Sequence, residues 1–173
     1  MAEYQTHRYV CLGQDRGGKL LGGSEIVPLQ VYPFRRVLSA AEQKRLKVLE
    51  NRYRDSARSR FTARTAYYHT LTGGHYTSIT IRDQKSRWGS CSSRGTLSFN
   101  YRLIFAPPAV LDYVVVHELC HLTHMDHSKN FWNMVGTIMP DYKIHKTWLK
   151  EHGHELTLEN HLLRQGIPLT LDI

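Results

Sequence analysis

The sequence is poor in cysteine, in acidic residues and in long apolar runs, and each shortage excludes something. Its three cysteines, Cys11, Cys91 and Cys120, form no CxxC pair. An odd, scattered set argues against a disulfide framework and against a four-cysteine zinc ribbon. Reduced thiols suit a cytoplasmic protein, and that localisation is the expectation here. No stretch stays apolar for the roughly 20 residues that a bilayer span requires, so no membrane partner is expected. The opening MAEYQTHRYV has no apolar core of the kind a signal peptide needs. Asp and Glu number 15 against 23 Lys and Arg, a net charge of +8. Such a balance attracts nucleic acid or acidic partners, and it also serves plain solubility. Composition does not choose between the two.

Histidine is what the sequence has in excess. There are 11, and four of them fall in HELCHLTHMDHS, residues 117–128. The elements around this stretch are legible. Residues 1–37 give little beyond a short apolar RYVCL, read as a strand, and a glycine-rich GQDRGGKLLGG, read as a loop. Ser39 with Glu42 three residues on forms a capping-box pattern. Leu46, Leu49 and Tyr53 then recur at helical spacing, predicting a long amphipathic helix ending near Arg60. YTSITIR alternates and is β-branched, so residues 76–82 read as a strand. SRWGSC and TLSFNYRLIFA flank a hairpin turn at residues 92–95. Pro108 suits the first turn of a helix, and apolar periodicity carries that helix to about residue 124. Ser128 can cap a second helix that Pro140 stops. DYKIHKTWLKEHGHEL reads as a third, basic helix, and GIPLTLDI has no clear assignment. The order predicts one α+β domain over residues 1–173, with a mostly antiparallel sheet packed on helices.

His117-Glu118-x-x-His121 matches HExxH inside the residue 108–124 helix. Positions four apart share a face, one turn apart. Two imidazoles there can converge on one ion, with nitrogens roughly 2.0–2.1 Å from zinc. At 100° per residue Glu118 lies about 100° from His117 and about 60° from His121. It therefore flanks the ion, where a general base for water belongs. The bland alternative is a helix with solvated histidines. Against it, the two histidines continue the stripe of Val110 and Val114, and buried ring nitrogens need partners.

A catalytic zinc has three protein ligands and an open position. His124 and His127 compete to be the third, with Glu151, His145 and His152 as more distant candidates. On a continuous helix His124 shares the face but lies about 10.5 Å along the axis from His117. Three ligands in one line cannot easily form three corners of a tetrahedron. If the helix ends and the chain turns before Ser128, His127 arrives from a second direction. That gives HExxHxxxxxH, the metzincin spacing, except that His124 stands where the turn glycine is normal. Met139 in TIMPDY suggests a Met-turn, but its place at a helix end makes it core.

The assembled residues resemble the YgjP-like metallopeptidase family. The resemblance runs over residues 84–150 and rests on SRWGSC, Asn100, the HELCHL helix, DHSKNFW (Asp126 for the common Asn) and MPDYKIHKTWLK. It implies a small zincin-like fold, Zn2+ held by His117, His121 and His127, Glu118 as catalytic base and a polypeptide substrate. The ligand spacing is similar to that of SprT-like and WLM-type proteases, which act on proteins crosslinked to DNA.

Further residues carry weaker expectations. Arg87, Tyr142 and His145 are candidates to contact the transition state or the substrate. SRWGSC either walls the cleft beside a substrate-pairing strand, or Trp88 is core and Arg87 an ordinary ion-pair partner. Cys91 and Cys120 read as small buried hydrophobes, Phe131 and Trp132 as core, and Asn100 as a hydrogen-bonding brace. Arg52, Arg54, Arg58, Arg60 and Arg64, interleaved with Tyr53 and Phe61, form either a phosphate track or a solvated helix face. The functional expectation is a zinc metallopeptidase, possible partners including nucleic acid through the basic surface. The alternatives are a basic nucleic-acid-binding zinc module with little peptidase activity, and a hydrolase of some non-peptide bond.

Overall fold

The structure, a computed structural model, describes residues 38–167. All of them belong to one compact unit, residues 37–173. RYVCL, GQDRGGKLLGG, Cys11 and most of GIPLTLDI lie outside the described residues. No described helix is long and apolar enough to cross a membrane.

Helix α1, Ala40–Thr72, starts at the expected capping box. The Glu42 backbone N–H donates to Ser39 Oγ at 3.3 Å, and the Ser39 N–H donates to Glu42 Oε2 at 2.7 Å. The helix does not stop near Arg60 as expected. Its buried face continues through Ala57, Phe61, Thr65, Tyr68 and Thr72 at intervals of three and four. It ends at Gly73 and Gly74, whose φ angles of 66° and 80° suit glycine and little else. The stop signal is this glycine pair, not the arginine run.

Strands β1 (Ser78–Arg82), β2 (Gly89–Cys91) and β3 (Thr96–Asn100) form one sheet in the order β1-β3-β2. The turn at residues 92–95 is present, with the Gly95 N–H donating to the Ser92 carbonyl at 2.9 Å and φ 77° at Gly95. The α+β class holds, but the sheet is mixed and an antiparallel majority is not found. β2 and β3 pair antiparallel, while β1 and β3 pair parallel over five residues. The reason is the connection at residues 83–88. It carries the chain from one sheet edge to the other, so β3 returns between the two earlier strands. Asn100 braces that connection, as expected. Its amide donates to the Gln84 and Arg87 carbonyls at 2.6 and 3.1 Å, and its backbone N–H to the Trp88 carbonyl at 2.8 Å.

After a 3-10 turn, Tyr101–Phe105, come α2 (Pro108–Cys120), α3 (Lys129–Ile138) and α4 (Tyr142–His152). A second 3-10 turn, Gly153–Glu155, leads to α5 (Leu158–Arg164), which sequence periodicity does not predict. α2 is buried at nine of its 13 residues, so it runs through the centre and not over the surface. It packs on α1, α3, α4 and β2. Arg64 of α1 grips Asp112 of α2 through two bonds, Nε to Oδ1 at 2.6 Å and Nη2 to Oδ2 at 2.7 Å. α1 meets the sheet through Phe61 and Phe99, both fully buried, with rings stacked 4.5 Å apart.

Phe61→Ala removes one half of that stack. It is expected to lower the free energy of unfolding by about 3–5 kcal/mol, measured by urea titration of circular dichroism.

Candidate metal centre

α2 ends at Cys120, four residues before the expected residue 124. The backbone tightens there. Leu122 N–H donates to the Leu119 carbonyl at 3.0 Å, and Thr123 N–H and His124 N–H to that of Cys120 at 3.2 and 2.9 Å. Three-residue spacing of this kind closes a helix. The turn needs no left-handed backbone at His124, since no described non-glycine residue has positive φ. The Ser128 N–H then donates to Asp126 Oδ1 at 3.3 Å, and Ser128 Oγ caps α3 by accepting from the Phe131 N–H at 3.5 Å. His127 is thereby carried back over the end of α2.

The result is a cluster of three imidazole nitrogens. His117 Nε2 lies 3.3 Å from His121 Nε2 and 3.1 Å from His127 Nε2. The group can hold a metal ion, with all ligand atoms within 4.8 Å of one another. Two nitrogens bound to one tetrahedral ion at roughly 2.0–2.1 Å stand about 3.3 Å apart, so the spacing fits. The proton bookkeeping fits too. His121 Nδ1 faces the His124 carbonyl at 2.9 Å. The ring's hydrogen belongs on that nitrogen, which leaves the Nε2 lone pair turned inward. Burial, with His121, His127 and Lys146 nearby, holds His117 down to about 3. It is neutral at ordinary pH, as a ligand must be. Its Nδ1 is buried with no partner among the described residues, a cost that coordination at Nε2 helps to offset.

His124 thus contributes a backbone carbonyl, and its ring is not in the cluster. Neither are the more distant candidates. His145 Nε2 pairs with Asp141 Oδ2 at 3.0 Å, His152 Nδ1 pairs with Glu155 Oε1 at 3.2 Å, and Glu151 lies in a shallow cleft beside Ile144 and Trp148.

The floor of the cluster is Phe131, fully buried. Its ring lies 4.5 Å from His121, 4.9 Å from His117 and 4.9 Å from His127, centroid to centroid. Trp132 closes one side, 5.7 and 5.8 Å from His117 and His127, and Tyr142 stacks on it at 5.3 Å. Lys146 Nζ sits 4.2 Å over the Trp132 ring. Trp132 is half-buried and belongs to the site as much as to the core.

Glu118 is 5% exposed, and burial pushes its carboxyl up to about 8. A nearby cation favours the ionised form. The carboxyl packs directly on β2. A Cβ at Gly89 would stand 2.5 Å from Glu118 Oε1 and 2.8 Å from Cδ. The glycine of SRWGSC is there because this side chain needs its space. Beside Glu118 and His117 opens a cavity of about 230 Å3, walled by Trp88, Tyr113, Val114 and Leu149 with Arg87 at the rim. Arg87, Trp88 and Gly89 of SRWGSC line this cavity. Arg87 is exposed and has no ion pair among the described residues. Cys91 lies near enough for Glu118 to add to the burial that raises its thiol to about 11. It is not in the metal-holding group. Cys120 is fully buried and pushed up to about 12, a small hydrophobe as expected, and Met139 is core.

A family model described as "YgjP-like, metallopeptidase domain" matches residues 30–152, most of the chain. The chain belongs to the YgjP-like metallopeptidase family. No curated protein matches it. Among solved structures, the crystal structure of the metallopeptidase zymogen of Pyrococcus abyssi abylysin is similar at 20% identity. The similarity covers 53% of this chain and 93% of that chain, with a TM-score of 0.48.

Sequence reasoning missed four contributors. Gly89 was findable, because a glycine within a strand marks close approach. Phe131 and Trp132 follow the Ser128 helix cap by three and four residues, on the face turned to His127. Lys146 is four residues from Tyr142 and reaches the same ring, but nothing in the sequence says so.

Titration of metal-stripped protein with Zn2+ is expected to give one ion per chain. His127→Ala is expected to weaken that binding by more than the about 10- to 100-fold typical of losing an outer hydrogen-bond partner.

Proposed function

We propose that the chain is a zinc-dependent peptidase in which His117, His121 and His127 hold the ion and Glu118 is the general base. The observation that carries this reading is the convergence of three imidazole nitrogens beside a buried carboxylate of the same helix. An all-imidazole set of three suits zinc and leaves a coordination position free. Membership of a metallopeptidase family supports a polypeptide substrate. In this reading residues 38–167 act as one zincin-like catalytic unit in the cytoplasm, consistent with the free thiols of Cys91 and Cys120.

When bound, zinc supplies a Lewis acid that polarises the scissile carbonyl and acidifies water. The remaining work falls to the chain's own groups. Glu118 takes a proton from the attacking water and delivers it to the leaving amine. Apolar burial makes its carboxylate a stronger base, and Gly89 fixes where the oxygen sits. The His124 carbonyl keeps His121 in one tautomer. Arg87 and Tyr142 are proposed as contacts to the developing oxyanion or to the substrate backbone. Arg87 lines the Glu118 cavity, and Tyr142 stacks on the tryptophan beside His127. His145 is the weaker candidate, being tied to Asp141.

The basic nucleic-acid module draws little from α1. Arg54 pairs with Glu50 at 2.7 Å and lies over Tyr101, while Arg64 is committed to Asp112. Only Arg52, Arg58 and Arg60 of the five are exposed.

Glu118→Gln is expected to retain zinc and to lower casein or peptide hydrolysis by about 10²- to 10⁴-fold. Metal analysis and a fluorogenic assay on the same preparation check both halves, and zinc-free, well-folded wild type would contradict the reading. Gly89→Ala is expected to keep zinc and to lose up to about 10²-fold in kcat, because the new methyl displaces the Glu118 carboxylate.

A further inference from the structure

A second cavity, of about 420 Å3, lies behind the wall of the Glu118 cavity. Trp88 and Leu149 line both cavities, so the indole and the isobutyl group form a thin partition between them. The partition is tightly seated. A Cβ at Gly153 would stand 2.8 Å from Trp88 Cζ2, so the indole closely approaches the chain just after α4 ends.

The two sides differ in chemistry. The first is largely apolar, with Tyr113 and Val114 facing Trp88 and Leu149. The second carries Lys85, Arg102, Lys150 and His154, and no carboxylate among the described residues lines it. Of the acidic groups nearest in sequence, Glu151 lines a separate cleft beside Ile144 and Trp148, and Asp83 and Glu155 are already engaged. Asp83 pairs with Arg102 at 2.7 Å and with Arg54 at 3.7 Å, and Glu155 pairs with His152 and Arg164. Lys85, Lys150 and His154 have no ion pair among the described residues and are exposed or at the surface. Lys85 and Lys150, gathered in a concave site with no ion pair among the described residues, attract an anion.

Position relative to Glu118 says where on a substrate that anion sits. Glu118 hands its proton to the leaving amine, so the leaving half of a polypeptide lies on its side of the cleft. The apolar cavity lies beside Glu118, and the cationic cavity adjoins it across Trp88 and Leu149. We propose that the cationic cavity behind Trp88 is a substrate subsite for a carboxylate on the leaving side of the scissile bond, following an apolar residue. The carboxylate comes from an Asp or Glu side chain or from a free C-terminus. This rests on the peptidase reading and adds a substrate class to it.

The test uses full-length, zinc-loaded protein and peptides with a leucine after the bond, followed by Glu, Gln or Lys, each with a free or amidated C-terminus. Expected is a kcat/KM for Glu over Gln of about fivefold, the scale of a partly exposed ion pair, shrinking as salt rises. If the free C-terminus is the ligand, the advantage follows the terminal carboxylate and disappears on amidation. Lys85→Glu/Lys150→Glu is expected to reverse the ranking, favouring the Lys peptide. Zinc content and thermal melting of the variant exclude misfolding. Equal cleavage of all peptides by the wild type overturns the subsite and leaves the peptidase reading intact. If the wild type cleaves none, fluorescence anisotropy of the same peptides on zinc-loaded Glu118→Gln decides. Tighter binding of the acidic peptide, lost in the lysine reversal, keeps the subsite and removes the peptidase; equal binding removes both. A single-stranded oligonucleotide that outcompetes the acidic peptide, through the same two lysines, makes the cavity a phosphate site and overturns the proposal.

Discussion

The contact between the Phe131 ring and three imidazoles is what the candidate metal centre depends on. His117 comes from α2, His121 caps its C-terminus, and His127 comes from the connection after it, so no single element fixes all three. Phe131 touches each ring within 5 Å and is itself fully buried. Burying a phenylalanine side chain contributes roughly 1.5–3 kcal/mol, and here part of the burying surface is the three imidazoles. The Ser128 cap sets where α3 begins, and so where Phe131 and Trp132 project. Cap, turn and floor are thus one device, which brings a third imidazole to the end of a helix that already bears two.

Rigidity behind the site comes from α2. A helix buried on most of its surface, clamped to α1 by Arg64 and Asp112, has little freedom to rotate its histidines. Sites built on such elements hold their geometry better than sites on loops. On the other side, β2 reaches Glu118 only because Gly89 has no side chain. β2 in turn sits where it does because Asn100 ties down the residue 83–88 connection. The carboxylate, the cavity beside it and the Trp88 partition therefore share one support.

Much of this was legible before any coordinates. Ser39 with Glu42, the turn at residues 92–95, Pro108, Ser128 and Pro140 are local signals, and each marks its element correctly because the physics is local. The HExxH pair was legible for the same reason, since four residues on a helix always share a face. What failed was non-local. α1 runs twelve residues past Arg60 because Phe61, Thr65 and Tyr68 find partners in the sheet and α2, which periodicity among charged residues conceals. The mixed sheet depends on where a six-residue connection crosses, and no single strand encodes that. α2 stops at Cys120 without a glycine, through carbonyl bonds to the turn that follows. The choice between His124 and His127 was open for that reason; in the structure the His124 carbonyl meets His121, and the His127 ring is the one in the cluster. Trp132, Gly89 and Lys146 belong to the site through contacts across elements.

X-ray absorption at the zinc edge of the loaded protein reads the first coordination sphere directly. Expected are three imidazole nitrogens at roughly 2.0–2.1 Å and a single light oxygen or nitrogen scatterer beyond them. A sulfur scatterer at about 2.3 Å, or a spectrum needing fewer than three imidazoles, would contradict the three-histidine centre and the chemistry built on it.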